Sequence, residues 1–233
     1  MTELFSTTGF VLRRRLHKES DRVYTFFSRD LGKIDILSKS GSHPYAKLAP
    51  HLESFSHVRV FLVDGRGGFT LAGSDIEERL TPDPMDTVQM SLFLSGRHLV
   101  DLVTRWHEKD SWLHDQLLSW MRFCHIRRDL HPVRAGFLAS ALGLRMVRHA
   151  GYAPELFVCL HCRREIASLA FSWSGARGGV VCSDCLERED ATWFRARPAT
   201  PNALKLLRFA QERPSEDLMK IKLEHGVALE LPT

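Results

Sequence analysis

The chain has 233 residues, enough for one large domain or two small ones with a real hydrophobic core. Apolar residues make up 44% and charged residues 26%, the balance of a globular chain, which excludes a disordered or low-complexity one. A net charge of +4 is too small to name a partner, no run of 18 apolar residues suits a membrane span, and Met1–Gly9 lacks a charged-then-apolar leader, so a cytoplasmic protein with no membrane partner is expected.

The first 80 residues read as strands. Gly9-Phe-Val-Leu12 opens one over Thr8–Leu16, Arg22–Phe27 is rich in β-branched and aromatic residues, and Lys33-Ile-Asp-Ile-Leu37 alternates cleanly. Asp30-Leu-Gly-Lys33 reads as a hairpin turn between the last two. A fourth strand covers His57–Val63, Asp64–Gly68 turns, and Phe69–Ala72 begins a fifth. Five short strands in so few residues predict a small closed barrel, either an OB-fold or an SH3-like barrel.

Thr81-Pro-Asp-Pro84 changes the composition, and helices are expected from Met85 to Ala150. Leu92, Leu99, Val103 and Trp106 share one helical face; Trp112, Leu113, Leu117, Trp120 and Phe123 or Cys124 share another. His131-Pro132 starts a third helix with Val133, Phe137, Leu138, Leu142 and Leu144. A last helical part begins after Pro198 or Pro201, with Leu204, Leu207, Leu218, Ile221 and Leu223 apolar. The division predicted is 1–80 for the barrel and 81–233 for the helical part.

Charge is unevenly spread. Residues 1–50 hold nine Lys or Arg against five acids, and residues 121–149 hold six Arg against Asp129 alone, leaving the remainder acidic. Two basic segments fit a polyanion partner or ordinary solvated faces.

Four of the five cysteines form Cys159-Leu-His-Cys162, 19 residues, then Cys182-Ser-Asp-Cys185. Two knuckles of this spacing supply four thiolates, the ligand set of a closed tetrahedral zinc site. An iron–sulfur cluster uses the same ligands, but no other redox feature accompanies them, and a thioredoxin-like dithiol needs one motif and not two. Gly178-Gly179 supplies a tight turn and Ser168–Trp173 a short strand, as in a zinc ribbon over about 155–187. Four thiolates leave no open position for water, so a structural zinc, one per chain, is expected. His161 reads as a spacer and Cys124 as core. No phosphate-binding loop, dinucleotide fingerprint, nucleophile elbow or catalytic cluster is present, so no enzymatic activity is expected.

The order of barrel, helices, four-cysteine ribbon and helical end resembles the bacterial RecO recombination-mediator family, in its zinc-bearing branch. Thr8-Gly-Phe-Val-Leu-Arg13, Glu19-Ser-Asp-Arg22 before Val23–Phe27, Leu31-Gly-Lys33, Leu52-Glu-Ser-Phe55 and Gly178-Gly-Val-Val-Cys-Ser-Asp-Cys185 carry the resemblance. It implies an α+β chain: an N-terminal five-stranded OB-fold followed by a helical domain with an embedded four-cysteine zinc ribbon. It further implies binding of single- and double-stranded DNA, annealing of complementary strands, work with RecR and single-stranded-DNA-binding protein, loading of RecA, and a place at the bacterial nucleoid. Candidate phosphate contacts are Arg13, Arg14, Arg15, Arg22, Lys33, Lys39, Lys47, Arg127 and Arg128; alternation puts Arg13 and Arg15 on one face and Arg14 on the other, so not all can serve, and Tyr45 fits either a base-stacking role or packing on the barrel. The stretch Ser38–Lys47, strongly basic in many relatives, carries only Lys39 and Lys47 here. Two other readings fit the same elements: a protein-interaction adaptor, and an RNA-binding protein built from an OB-fold and a zinc ribbon.

Overall fold

The computed structural model describes residues 4–18, 21–39, 49–52, 55–65, 67–166, 170–188, 190–193 and 195–222. Tyr45, Lys47 and Leu223 lie outside them. The chain forms two compact units, Met1–Leu130 and His131–Thr233. The change from strand to helix comes earlier, after Glu78.

In the first unit, β1 (Leu4–His17), β2 (Asp21–Ser28), β3 (Gly32–Ser38), β4 (His57–Gly65) and β5 (Gly68–Glu78) close into a barrel in the order β1-β2-β3-β5-β4. Only the β3–β5 pairing is parallel, and β4 returns to β1. A short helix, α1 (Ala49–Leu52), lies between β3 and β4 and buries Leu52 in the barrel core. This is the connectivity of an OB-fold. Alternation builds it: Tyr24, Phe26, Ile34, Ile36, Val58, Val60 and Leu62 face one interior. Strand β1 is longer than the sequence suggests, and its register slips between Val11 and Arg13. That bulge ends the buried run at Leu12 and leaves Arg13, Arg14, Arg15 and Leu16 all exposed.

Helices α2 (Thr87–Val103) and α3 (Ser111–Ile126) complete the unit, capped by Asp86 and Asp110. The buried Gln89 amide donates to the carbonyls of Cys124 and Arg127, both at 2.8 Å, and so ties the start of α2 to the end of α3. Gly96 lets the Trp120 indole lie against the helix backbone; a Cβ there would fall 2.2 Å from Trp120 Cδ1. Trp120 Nε1 donates to Leu92 O at 2.9 Å. Trp106 does not join this core. α2 stops at Val103, where both the amide and the hydroxyl of Thr104 bond to Val100 O, and Trp106 lies beyond it, 48% exposed and bridged to Lys33. Trp112 and Val133 likewise sit at the rims of their helices.

Two histidines are enclosed in the first unit. His57 of β4 and the fully buried His114 of α3 meet with ring centroids 5.2 Å apart, beside Phe10 and Phe27. His114 Nδ1 faces Asp115 Oδ1 at 3.2 Å, and neither Nε2 has a hydrogen-bond partner among the described residues. Burial, then the neighbouring His114, pushes the His57 pKa down to about 4. Burial also lowers His114, against the pull of Asp115.

In the second unit, α4 (Pro132–His149) begins with Pro132 at its first turn and packs on α7 (Pro201–Glu212). A three-stranded sheet, β7-β6-β8, is made of β6 (Phe171–Ser174), β7 (Gly179–Cys182) and β8 (Arg197–Ala199). Pro198 thus lies in an edge strand, and the helix starts at Pro201. Helices α5 (Ser183–Arg188), α6 (Asp190–Trp193) and α8 (Ser215–Leu218) are short. Leu156, Cys159, Phe171, Val180, Val181, Cys185, Leu204 and Leu207 share one core. Among the described residues no helix is long and apolar enough to cross a membrane.

Candidate metal centre and cationic surface

The first knuckle is shaped by backbone bonds before its thiols are considered. Glu155 caps the loop, its carboxylate accepting from the amides of Phe157 and Val158. Cys159 N donates to Arg164 O at 2.8 Å and Arg163 N to Cys159 O at 3.0 Å, with Arg163 in the left-handed region at φ 60°. The loop then docks beside β7: Glu155 N donates to Gly178 O, Val180 N to Glu155 O and Leu160 N to Val180 O. Gly178 takes φ +67°, and a Cβ on Gly179 would fall 2.6 Å from Glu155 O, which is why this turn is Gly-Gly. Cys182 ends β7 and Cys185 lies in α5, so the second knuckle is a strand-to-helix corner.

The four Sγ atoms lie within 4.8 Å of one another, and Cys162 Sγ is 3.9 Å from Cys182 Sγ. A tetrahedral zinc with Zn–S bonds of about 2.3 Å places its sulfurs about 3.8 Å apart, whereas a disulfide needs about 2.05 Å. None of the five cysteines is in a disulfide. The four residues together can therefore hold a metal ion, and an all-thiolate set suits zinc. Burial alone would raise the Cys159 thiol, but the amides of Cys182, Cys162 and His161 outweigh it and hold it below its usual value. Cys162 is pushed down to about 6, first by the Arg164 side chain. Burial raises Cys185 to about 12 and also raises Cys182. A metal ion would deprotonate all four. Cys159 and Cys185 are buried; Cys162 and Cys182 form the half-exposed side. The fifth, Cys124, sits in the α3 core with its thiol pushed up by burial.

The candidate phosphate contacts separate into groups. Lys33 is only 5% exposed, and its ammonium bonds to Asp101 O at 2.7 Å and Asp101 Oδ1 at 3.0 Å, with the Trp106 ring beneath. It is a structural cation with no face left for a phosphate. Arg13 Nε meets the same Asp101 at 2.8 Å, and Arg15 meets Asp35 at 2.9 Å, but both guanidiniums are exposed. The Arg15–Asp35 pair is open to solvent on both sides and worth about 0–1 kcal/mol, so a phosphate can displace its carboxylate, whereas Arg13 is held by the nearly buried Asp101. Arg14 and Lys39 are exposed and Arg22 is half-buried. Arg127 lies over the Phe123 ring and Arg128 pairs with Asp83 at 3.0 Å.

The second basic segment is largely spent internally. Arg122 holds Glu78 through bonds of 2.6–3.0 Å. In the other unit Arg134 donates to the carbonyls of Leu218, Met219 and Ile221, and Arg145 to Arg213 O.

Residues 1–78 match the family model described as Recombination protein O N terminal, and residues 93–232 the one described as Recombination protein O C terminal. The chain belongs to the RecO family. It is similar to a DNA repair protein RecO of Dehalococcoides mccartyi, 24% identical over 227 residues, 97% of this chain and 86% of the relative. Another, from Heliobacterium modesticaldum, is 27% identical over 224 residues, covering 94% of this chain and 78% of the relative. A third, from Symbiobacterium thermophilum, is 26% identical over 187 residues, 79% of this chain and 72% of the relative.

The N-terminal RecO match ends at Glu78, the last residue of β5, so it coincides with the barrel. Two cations of this RecO-family chain escaped the sequence reading. Arg97 of α2 lies over the Phe55 ring at 4.8 Å; burial and then the charge of Arg14 lower its pKa. Its only signal in sequence was a lone arginine in an apolar helix. Arg164 contacts Cys162, and its signal was proximity to the knuckle.

Proposed function

We propose that this chain is a DNA-binding recombination mediator that works by binding and not by catalysis. It binds single- and double-stranded DNA, anneals complementary strands, and acts with RecR and single-stranded-DNA-binding protein to load RecA. The place of action is the bacterial cytoplasm, at the nucleoid. The observation that carries this reading is membership of a DNA-repair family across both halves of the chain, with an OB-fold at its head. The barrel, residues 1–80, is the DNA-binding part, and Arg13, Arg14, Arg15, Arg22 and Lys39 are its phosphate contacts, joined by Arg97. Neutralising the phosphates of both strands lowers their mutual repulsion, which is the physical requirement for annealing.

We further propose one structural zinc per chain on Cys159, Cys162, Cys182 and Cys185. Bound there, it supplies a fixed cross-link between two knuckles and no open coordination site.

The test is a mobility-shift and strand-annealing assay at about 50 and about 200 mM salt. Binding at low salt that weakens at high salt, with faster annealing than DNA alone, is expected. Absence of DNA binding at low salt overturns the reading, and preference for matched RNA redirects it. Zinc analysis of the purified chain should give one ion per molecule; well under one, with four free thiols, overturns the metal assignment.

A further inference from the structure

The four-cysteine centre has a buried side and an open side. Cys159 and Cys185 belong to the hydrophobic core, whereas Cys162 and Cys182 face solvent in part. One side chain crosses that open side. Arg164 Nε lies 3.3 Å from Cys162 Sγ, and Arg164 Nη2 lies 2.9 Å from Asp184 Oδ2. Asp184 sits between Cys182 and Cys185, so the guanidinium reaches from the first knuckle to the second. The start of this reach is fixed by the backbone. Arg163 at φ 60° turns the chain back, and Arg164 O accepts from Cys159 N at 2.8 Å. The neighbouring Arg163 points elsewhere, to Glu155 at 3.6 Å.

We propose that Arg164 and Asp184 form a clasp over the open side of the metal centre, in which Arg164 is a positioning residue that donates to the Cys162 thiolate and holds the two knuckles together. The inference rests on the metal reading above. The chemistry follows from charge. Four thiolates around a divalent cation leave two net negative charges, and these sit beside solvent at Cys162. A guanidinium donating to that sulfur withdraws electron density from it, offsets the charge, and makes protonation and departure of that ligand slower. Asp184 fixes the plane of the guanidinium, since a fork with one tine on sulfur and one on a carboxylate cannot rotate freely. Partners of metal ligands commonly change metal affinity by about 10–100-fold.

The test uses the zinc-loaded full chain and three variants: Arg164→Leu, Arg164→Lys and Asp184→Asn. The first readout is the rate of zinc transfer to the chromogenic chelator 4-(2-pyridylazo)resorcinol. Arg164→Leu should release zinc about tenfold faster. Arg164→Lys keeps the charge but cannot bridge, and should fall between it and the parent. Asp184→Asn should also be faster than the parent, by a smaller factor. The second readout is the thiolate-to-metal charge-transfer band after cobalt replaces zinc. Loss of a hydrogen bond to sulfur raises its donor orbitals, so the band should move to longer wavelength in Arg164→Leu. A release rate within about twofold of the parent, or an unmoved band, overturns the clasp. If Arg164→Leu does not fold, Arg164→Lys and Asp184→Asn carry the same comparison. A parent chain that retains no zinc overturns the metal reading and the clasp with it, whereas a parent that holds zinc as firmly as Arg164→Leu overturns the clasp alone.

Discussion

The ammonium of Lys33 and the side chain of Asp101 meet at 3.0 Å, with Lys33 Nζ also on the Asp101 carbonyl, and this pair holds β3 to the end of α2. Asp101 is 11% exposed and Lys33 6% by side chain, so the pair is desolvated. Removing Lys33 leaves Asp101 its second partner, Arg13, but takes away two charge-assisted bonds in a dry site, which costs about 2 kcal/mol. Lys33→Ala should therefore lower thermal stability markedly. At a temperature where the variant is folded, its DNA affinity should match the parent. A stable Lys33→Ala with weakened DNA binding would show that Lys33 touches phosphate after all.

Arg14 makes the opposite prediction. It is exposed on β1, and its charge bears on Arg97. Each phosphate contact adds about 0.9 to the slope of log affinity against log salt on duplex DNA and about 0.7 on single strands. Arg14→Ala should flatten that slope by about one contact and leave the melting temperature within experimental scatter. Lys39→Ala should do the same, and the double variant should sum the two. The check is a salt titration of fluorescent single-stranded DNA.

Gly96 and Trp120 define a steric test. Gly96→Ala drives a methyl carbon to within 2.2 Å of the indole, and the ring cannot move without losing its bond to Leu92 O. The cost should be about 1–3 kcal/mol, the range of overpacked cores. Urea unfolding followed by tryptophan emission measures it, and the native spectrum should shift as Trp120 leaves its site.

The pair of the half-buried His57 and the buried His114 makes the first unit sensitive to acid. An unfolded histidine titrates near pH 6.5, and His57 in the fold near 4. Between those values the unfolded chain binds a proton that the folded chain refuses. Stability is thus full above about pH 6.5, falls as pH drops toward 4, and loses nothing more from this residue below that. The groups that bear on His57 are His114, Glu77, Glu78 and Arg122, and those that bear on His114 are Asp115, Arg29 and Asp30. Since His57 is partly reached by solvent, the loss should be on the order of 2 kcal/mol and not the full shift. Urea unfolding at pH 7 and pH 5 checks this against His57→Leu, which keeps the carboxylate titrations and should lose only this component.

Metal removal should act on one unit. Chelation that empties the four thiols should cut the stability of residues 131–233, whose core includes Cys159 and Cys185, and leave the barrel's melting unchanged. Circular dichroism near 215 nm, with and without chelator, separates the two transitions.

The parts of the fold written in short-range pattern could be read directly. Lys33-Ile-Asp-Ile alternates because Ile34 and Ile36 face the barrel interior, and the two knuckles are visible because their spacing is the geometry of the site. Long-range partnerships left no such trace. Arg122 looked like part of a basic patch, yet it is held by Glu78, 44 residues away. Trp106 kept the helical spacing of Leu92 and Leu99, but Thr104 capped the helix one turn too early for it. Lys33 read as a surface cation because strand alternation placed it opposite the core, where α2 then covers it through Asp101. The bulge at Leu12 depended on how β1 wraps two neighbours at once.

Cys124 gives the molecule a built-in clock. Its thiol is sealed in α3 of the first unit, while the four other sulfurs sit in the second. A slow thiol-labelling time course should therefore resolve into separate phases. Mass added at the buried Cys159 and Cys185 records the opening of residues 131–233, and mass added at Cys124 records the opening of the barrel unit. A single chain, with no introduced probe, can thus report whether its two halves come apart together or in turn.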